Sequence, residues 1–207
     1  MEIKMADIKA LNKSTGAGMM DCKKALMEAN GDLAGAEKIL KEKGLAAMAK
    51  RTDRATAEGC VFIKQDGNKV VMLGLTCETD FVSKNEDFIA MGNKLVDLTI
   101  ANGYTQVEQA HKDALNELSI KVRENMNISK LDVIEVPQDA AVATYIHSDK
   151  KTGSVVVVKG CSCDAVKQFA YDCCLHLAAF TPEYLTSKDV PEAYINEQKE
   201  IFQAQMN

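Results

Sequence analysis

Apolar residues recur at helical spacing through the first fifty positions. Met5, Ile8 and Leu11 mark a first helix that breaks at Ser14-Thr15-Gly16-Ala17-Gly18. A second starts near Met19, sets Cys22, Ala25, Leu26 and Ala29 on one side, and stops at Asn30-Gly31, residue types that tolerate a left-handed turn. Asp32 is placed to cap a third, whose Leu33, Ala36, Ile39 and Leu40 are expected to face inward and which should end at Gly44. A basic, Ala-rich stretch with Lys50, Arg51 and Arg54 then reads as a linker helix.

From Gly59 the period changes to that of strands. Residues 60–64 and 69–77 are apolar runs separated by Gln65-Asp66-Gly67-Asn68, which predicts a β-hairpin. Ser83-Lys84-Asn85-Glu86 has the form of a capping box, and Phe88, Met91, Leu95 and Leu98 follow at helical spacing up to Asn102-Gly103. A further helix is expected over 107–125, then a strand over 128–136 closed by Pro137. The plan then recurs: residues 141–148 and 154–160 flank a turn, and a helix over 164–180 puts Val166, Phe169, Cys173, Leu177 and Phe180 on one face. After Thr181-Pro182 and Val190-Pro191, a last helix begins near Glu192. The pattern predicts an α+β protein: a three-helix domain and linker (1–55), a first core subdomain (56–140), and a related second hairpin-plus-helix subdomain that leads into a helical arm (141–207).

Composition narrows the function. Against 30 Asp+Glu stand 25 Lys+Arg, a net charge of −5, which argues against a protein whose main work is gripping a phosphate backbone. RNA binding through Lys50, Arg51 and Arg54 is weak on that balance. No apolar stretch approaches the roughly 20 residues that cross a bilayer, and the first residues lack a secretory layout. Seven cysteines, an odd number, fit a reducing, cytoplasmic setting.

Catalytic motifs are scarce. There is no Gly-x-x-x-x-Gly-Lys phosphate loop and no His-Glu-x-x-His. His176 near Cys173 permits a thiol-enzyme reading, although a small buried thiol beside an imidazole is the plainer one. Cys161 and Cys163 stand closer than zinc pairs usually do, and Cys173 and Cys174 point about 100° apart on a helix, so no metal or other cofactor is expected. The unusual segment is Thr79-Asp80-Phe81-Val82, between a strand end and a helix cap. Phe81 there is either a ring packed under the sheet or an exposed aromatic anchor on a stiff corner. Met19 and Met20 pose the same question, since adjacent residues cannot both face the core of a short helix; one is expected outside, with Lys23 one turn on.

At these residues the chain resembles a known family. The run Thr15-Gly-Ala-Gly-Met-Met-Asp-Cys-Lys-Lys-Ala-Leu26 and the run Cys77-Glu-Thr-Asp-Phe-Val82 look like two signatures of the bacterial elongation factor Ts family. Arg123-Glu-Asn-Met-Asn-Ile128 is similar to a third, and Tyr145-Ile-His147 also fits. The resemblance implies a guanine-nucleotide exchange factor for elongation factor Tu, with an N-terminal domain like the ubiquitin-associated (UBA) fold and two related core subdomains. It further implies that Thr79, Asp80, Phe81 and Val82 act near the partner's nucleotide-bound magnesium. Met19, Met20 and Lys23, with Lys50 and Arg51, would touch the partner's GTPase domain, and His147 another of its domains. No direct nucleotide binding, no nucleic acid and no membrane belong to that picture, and the chain would be no enzyme. Family members continue into a helical hairpin and return, whereas Gln205-Met206-Asn207 fall in its first arm. The second subdomain is therefore expected to be incomplete, with an open sheet edge available for self-association. The rival class is an adaptor that uses the three-helix domain without altering a nucleotide.

Overall fold

The computed structural model describes residues 3–49 and 54–206. Three helices come first: α1 (Met5–Thr15), α2 (Met19–Glu28) and α3 (Leu33–Ala49). Most of the periodic apolar positions form their small core, with Ile8, Leu11, Cys22, Ala25, Leu26, Ala36 and Leu40 buried together, whereas Met5 is exposed. Asn30 takes a left-handed φ of 53°, and Asp32 caps α3 by accepting from the N–H groups of Ala34 and Gly35.

Two expectations fail here. Leu33 is exposed, because it begins the helix outside the bundle. Gly44 does not end α3; it lies within it. A Cβ at Gly44 would meet Ile120 Cγ2 at 2.6 Å, so this glycine lets α3 lie close against helix α6 (Gln109–Val122) of the next unit. Lys41–Glu117 at 3.4 Å joins the same two helices, and a cleft of about 760 Å³ runs between the three-helix unit and the core. The stretch read as a basic linker helix lies for the most part outside the described residues.

The core is built on strands β1 (Glu58–Asp66), β2 (Lys69–Cys77) and β3 (Met126–Glu135), an antiparallel sheet in the order β1-β2-β3. Between β2 and β3 come a single helical turn, α4 (Asp80–Ser83), then α5 (Glu86–Asn102) and α6. Alternation along β2 gives the sheet two apolar faces. Val71, Leu73, Leu75 and Cys77 face Phe88, Leu95, Val96, Leu115 and Leu118 of α5 and α6. Val70 points the other way, into a second cluster with Val136 and Ala140.

That second face receives the hairpin of β4 (Ala140–Ile146) and β5 (Gly153–Lys159), whose Val142, Val155 and Val157 complete the cluster. The sheet is thus held between helices on one side and a second, two-stranded sheet on the other. Helix α7 (Asp164–Phe180) covers the hairpin, and α8 (Glu192–Gln205) buries no residue.

The predicted inward face of α7 is a further correction. Ala170 and Cys174 are its buried residues, whereas Phe169, Leu177 and Phe180 are exposed. Ser154 donates a hydrogen bond to the Cys174 carbonyl at 2.9 Å, so the helix backbone lies almost on the hairpin and only small side chains fit beneath it. Among the described residues, no helix is long and apolar enough to cross a membrane.

Candidate functional site

At the end of β2 the chain turns a corner fastened by a set of hydrogen bonds. Thr79 is the N-cap of α4: its hydroxyl oxygen accepts from the Val82 N–H at 3.4 Å and donates to Glu124 Oε1 at 2.7 Å. Its own N–H donates to Glu124 Oε2 at 3.1 Å. Next to it, Glu78 accepts from the Asn125 N–H at 2.8 Å and from Arg54 at 3.1 Å. Two carboxylates with charge-assisted bonds therefore tie residues 78–79 to 124–125, across the sheet end. Below, the Cys77 thiol donates to the Thr79 carbonyl at 3.2 Å; burial, with Glu124 nearby, pushes that thiol up to about 12. Ser83 closes the turn by donating to the Asp80 carbonyl at 3.1 Å.

The predicted capping box at Ser83 is corrected by this geometry. The true N-cap of α5 is Asn85, whose side chain accepts from the Asp87 N–H at 2.8 Å. Ser83 ends α4 and is buried, and Val82 packs against the main core. Successive residues on a helical turn diverge by about 100°. With Val82 and Ser83 turned inward, Phe81 must point out, and 83% of it is exposed. Asp80 beside it is ion-paired with Lys84 at 2.7 Å, which holds its carboxyl below the usual range.

Other candidate residues gather around this corner. Lys151 pairs with Glu58 at 2.6 Å and is near enough to Asp80 for each charge to favour the other's ionised form. It belongs to the β4–β5 turn, which is docked on β1 by the bond from the Val61 N–H to the Lys150 carbonyl at 2.7 Å. His147 sits in the same turn, exposed, its Nδ1 3.0 Å from the Tyr145 hydroxyl. On the opposite flank, Arg123 takes a left-handed φ of 62° at the end of α6 and reaches Asp21 of α2 at 3.6 Å. Arg123 directly precedes Glu124, so the start of α2 is joined to the Thr79 latch through one pair of neighbouring residues.

Met19, Met20 and Lys23 lie at that start. Both methionines are exposed, 39% and 66%, where one was expected to be. The first turn of α2 faces solvent, and the helix buries only Cys22, Ala25 and Leu26. Lys23 is exposed as well, while Lys50 and Arg51 lie outside the described residues.

Glu78, Glu124 and Lys151 are the supporting residues that sequence patterning did not assign. Glu78 and Glu124 stand inside quoted motifs, yet nothing in spacing says that two acidic residues 46 positions apart share one corner. Elsewhere, the His176 and Phe180 rings lie 4.5 Å apart, tilted by 41°, and the Cys174 thiol donates to the Ala143 carbonyl. Among the described residues, no group of three or more His, Cys, Asp or Glu is arranged to hold a metal ion. What the arrangement offers is a contact surface: a rigid apolar tip flanked by fixed charges.

Comparison with known proteins gives this surface a context. A family model described as "Elongation factor TS" matches residues 78–207. An elongation factor Ts of Treponema denticola is 51% identical over 211 residues, which covers 100% of this chain and 75% of the relative. One of Treponema pallidum (strain Nichols) is 44% identical over 220 residues, with 99% and 76% covered. One of Borrelia recurrentis is 39% identical over 214 residues, with 100% and 76% covered.

Proposed function

Because the chain belongs to the elongation factor Ts family and so to the factors of translation elongation, we propose that it is the guanine-nucleotide exchange factor of elongation factor Tu. It binds the GDP-loaded GTPase, disturbs the magnesium site with the corner of residues 79–82, promotes GDP release, and leaves the nucleotide-free partner ready for GTP. The observation that carries this reading is Phe81, a large apolar ring 83% exposed on a corner whose neighbours are latched.

The physics is that of differential binding. Magnesium in a GTPase site bridges phosphate oxygens and neutralises their charge. A factor that speeds release must bind the opened state better than the loaded one, and factor and nucleotide then weaken each other by the same coupling free energy. Burying the Phe81 ring in a pocket present only in the opened state contributes about 1.5–3 kcal/mol, one to two decades in affinity. Asp80, paired with Lys84, brings a carboxylate to the same place, either to compete for groups that orient the metal or to fix the loop. Met19, Met20 and Lys23 grip the GTPase domain, extended by Lys50 and Arg51, and His147 meets a second domain of the partner. No bond of the nucleotide is made or broken, so the chain is not an enzyme in the chemical sense.

The same reading assigns the three-helix unit (1–55) as a UBA-like domain. It takes β1-β2-α5 and β4-β5-α7 as duplicated hairpin-plus-helix motifs of two subdomains (56–140 and 141–207). The protein then works in the cytoplasm on a protein partner, without binding nucleic acid, membrane or free nucleotide. Self-association is part of the proposal, and the exposed outer face of α7 with Phe169 and Phe180 supports it. An adaptor role of the three-helix unit would leave the Phe81 corner without a use.

The test is release of fluorescent GDP from elongation factor Tu with and without the 207-residue chain. Acceleration that grows with chain concentration is expected, and an unchanged rate would contradict the proposal.

A further inference from the structure

The turn from β5 into α7 carries two cysteines that the exchange function does not use. Cys161 forms an isolated parallel bridge with Ala140, and Cys163 is the N-cap of α7, with extended backbone at φ −70° and ψ 160°. Their sulfurs lie 2.8 Å apart, and the Cys163 N–H donates to Cys161 Sγ at 3.3 Å. A disulfide bond is about 2.05 Å long, so closing one here asks for a sulfur displacement of less than about 1 Å.

Cys163 is exposed and Cys161 half-buried. The Cys163 thiol is drawn below its ordinary range, first by the hydrogen bond from Cys161, then by the N–H groups at the start of the helix. Four other cysteines, Cys22, Cys60, Cys77 and Cys174, are buried; burial pushes the last three up. Cys173 is half-buried, and no sulfur lies opposite it among the described contacts.

We propose that Cys161 and Cys163 form a redox-active dithiol, which a small-molecule disulfide converts into an intrachain disulfide at the head of α7. The Cys163 thiolate attacks one sulfur of the reagent, forming a mixed disulfide while the first reagent half leaves as a thiolate. Cys161 then surrenders its proton and attacks the Cys163 sulfur, and the second half leaves. The protein loses two hydrogens with two electrons, and the reagent is reduced to two thiols. A disulfide across one intervening residue, exposed at a helix end, belongs to the labile and regulatory kind, the kind that occurs transiently where thiols are otherwise kept reduced. Closure fixes the β5–α7 turn and removes the thiolate from the helix cap.

The experiment treats the full chain with oxidised glutathione, quenches exchange with acid, then unfolds it in denaturant with iodoacetamide so that every remaining thiol is alkylated, and maps products by mass spectrometry. The main product expected has Cys161 joined to Cys163 and five alkylated cysteines, and excess reduced glutathione reverses it. Cys161→Ser should stop at a glutathione adduct on Cys163. Cys163→Ser, which places a residue type preferred at N-caps there and so folds, should form no intrachain bond. In the untreated chain, Cys163 should alkylate at least about tenfold faster than Cys173. A bond to any other cysteine, interchain dimers through Cys163 as the main product, or equal alkylation of Cys163 and Cys173 would overturn the assignment.

Discussion

A phenyl ring left 83% in water forgoes about 1.5–3 kcal/mol of burial, and at Phe81 the surrounding residues impose that exposure. Thr79 is held by both oxygens of Glu124, Ser83 is tied back to Asp80, and Val82 takes the inward place. If Glu124 is the latch, Glu124→Ala should lower unfolding stability by about 1–3 kcal/mol, the cost of leaving charge-assisted bonds unmade. Urea titration measures it, and a change below about 0.5 kcal/mol would show that the corner holds itself.

His111 allows a second test at this scale. It is buried, with Nδ1 accepting from the Glu108 N–H at 3.0 Å and Nε2 facing the Thr99 hydroxyl at 2.9 Å. Because that hydroxyl donates to the Leu95 carbonyl, the ring must be neutral with its proton on Nε2. Burial lowers its pKa from the ordinary 6.5. The unfolded chain therefore takes up a proton that the folded chain refuses, so stability is full above pH 6.5 and declines as pH falls below it toward the folded value. Urea midpoints followed from neutral to mildly acidic pH should show this decline in the wild type, and His111→Gln should lose that component of it.

Among the elements, α5 packs tightly on β1. A Cβ at Gly92 would stand 2.1 to 2.4 Å from the Phe62 ring, although the position is mid-helix. Alanine there gains about 1 kcal/mol of helix propensity but overpacks the core by about 1–3 kcal/mol. Gly92→Ala should therefore lower the melting temperature by several degrees, and an unchanged or higher Tm would mean that the ring moves freely aside.

The same distinction explains which elements were legible. Helices α1, α2 and α5 and both hairpins follow the sequence pattern because local signals end them: Gly16 and Gly103 as left-handed caps, Asn30-Gly31, and the Gly67-Asn68 turn. Gly44 carries the composition of a stop, yet serves as a contact with Ile120; a single glycine does not announce which role it has. Ser83 and Asn85 are both good caps by type, and the bond that α4 makes to itself decided between them. On α7 the large apolar residues marked a face, but closeness to the hairpin admitted only Ala170 and Cys174 beneath the helix.

In the whole molecule, the central sheet and its helices connect the elements that carry the candidate residues. Its β2 end carries the Phe81 corner, its β1 edge docks the His147 turn through Val61, and α6 delivers Arg123 to Asp21 beside Met20. Sequence motifs named Phe81, Met20 and His147 separately; the links that join their elements, Val61 to Lys150, Thr79 to Glu124 and Asp21 to Arg123, are pairings between distant positions that no local period encodes. The exposure of Phe81 was equally undecided by pattern, since an inward and an outward ring fit the same alternation. The central claim is that this ring does the opening work. Stopped-flow release of fluorescent GDP from elongation factor Tu, with wild type and Phe81→Ala at saturating concentrations, tests it most directly. The account predicts a release rate lower by about one to two decades for Phe81→Ala, with stability and docking nearly unchanged. Equal release rates for the two proteins would contradict it.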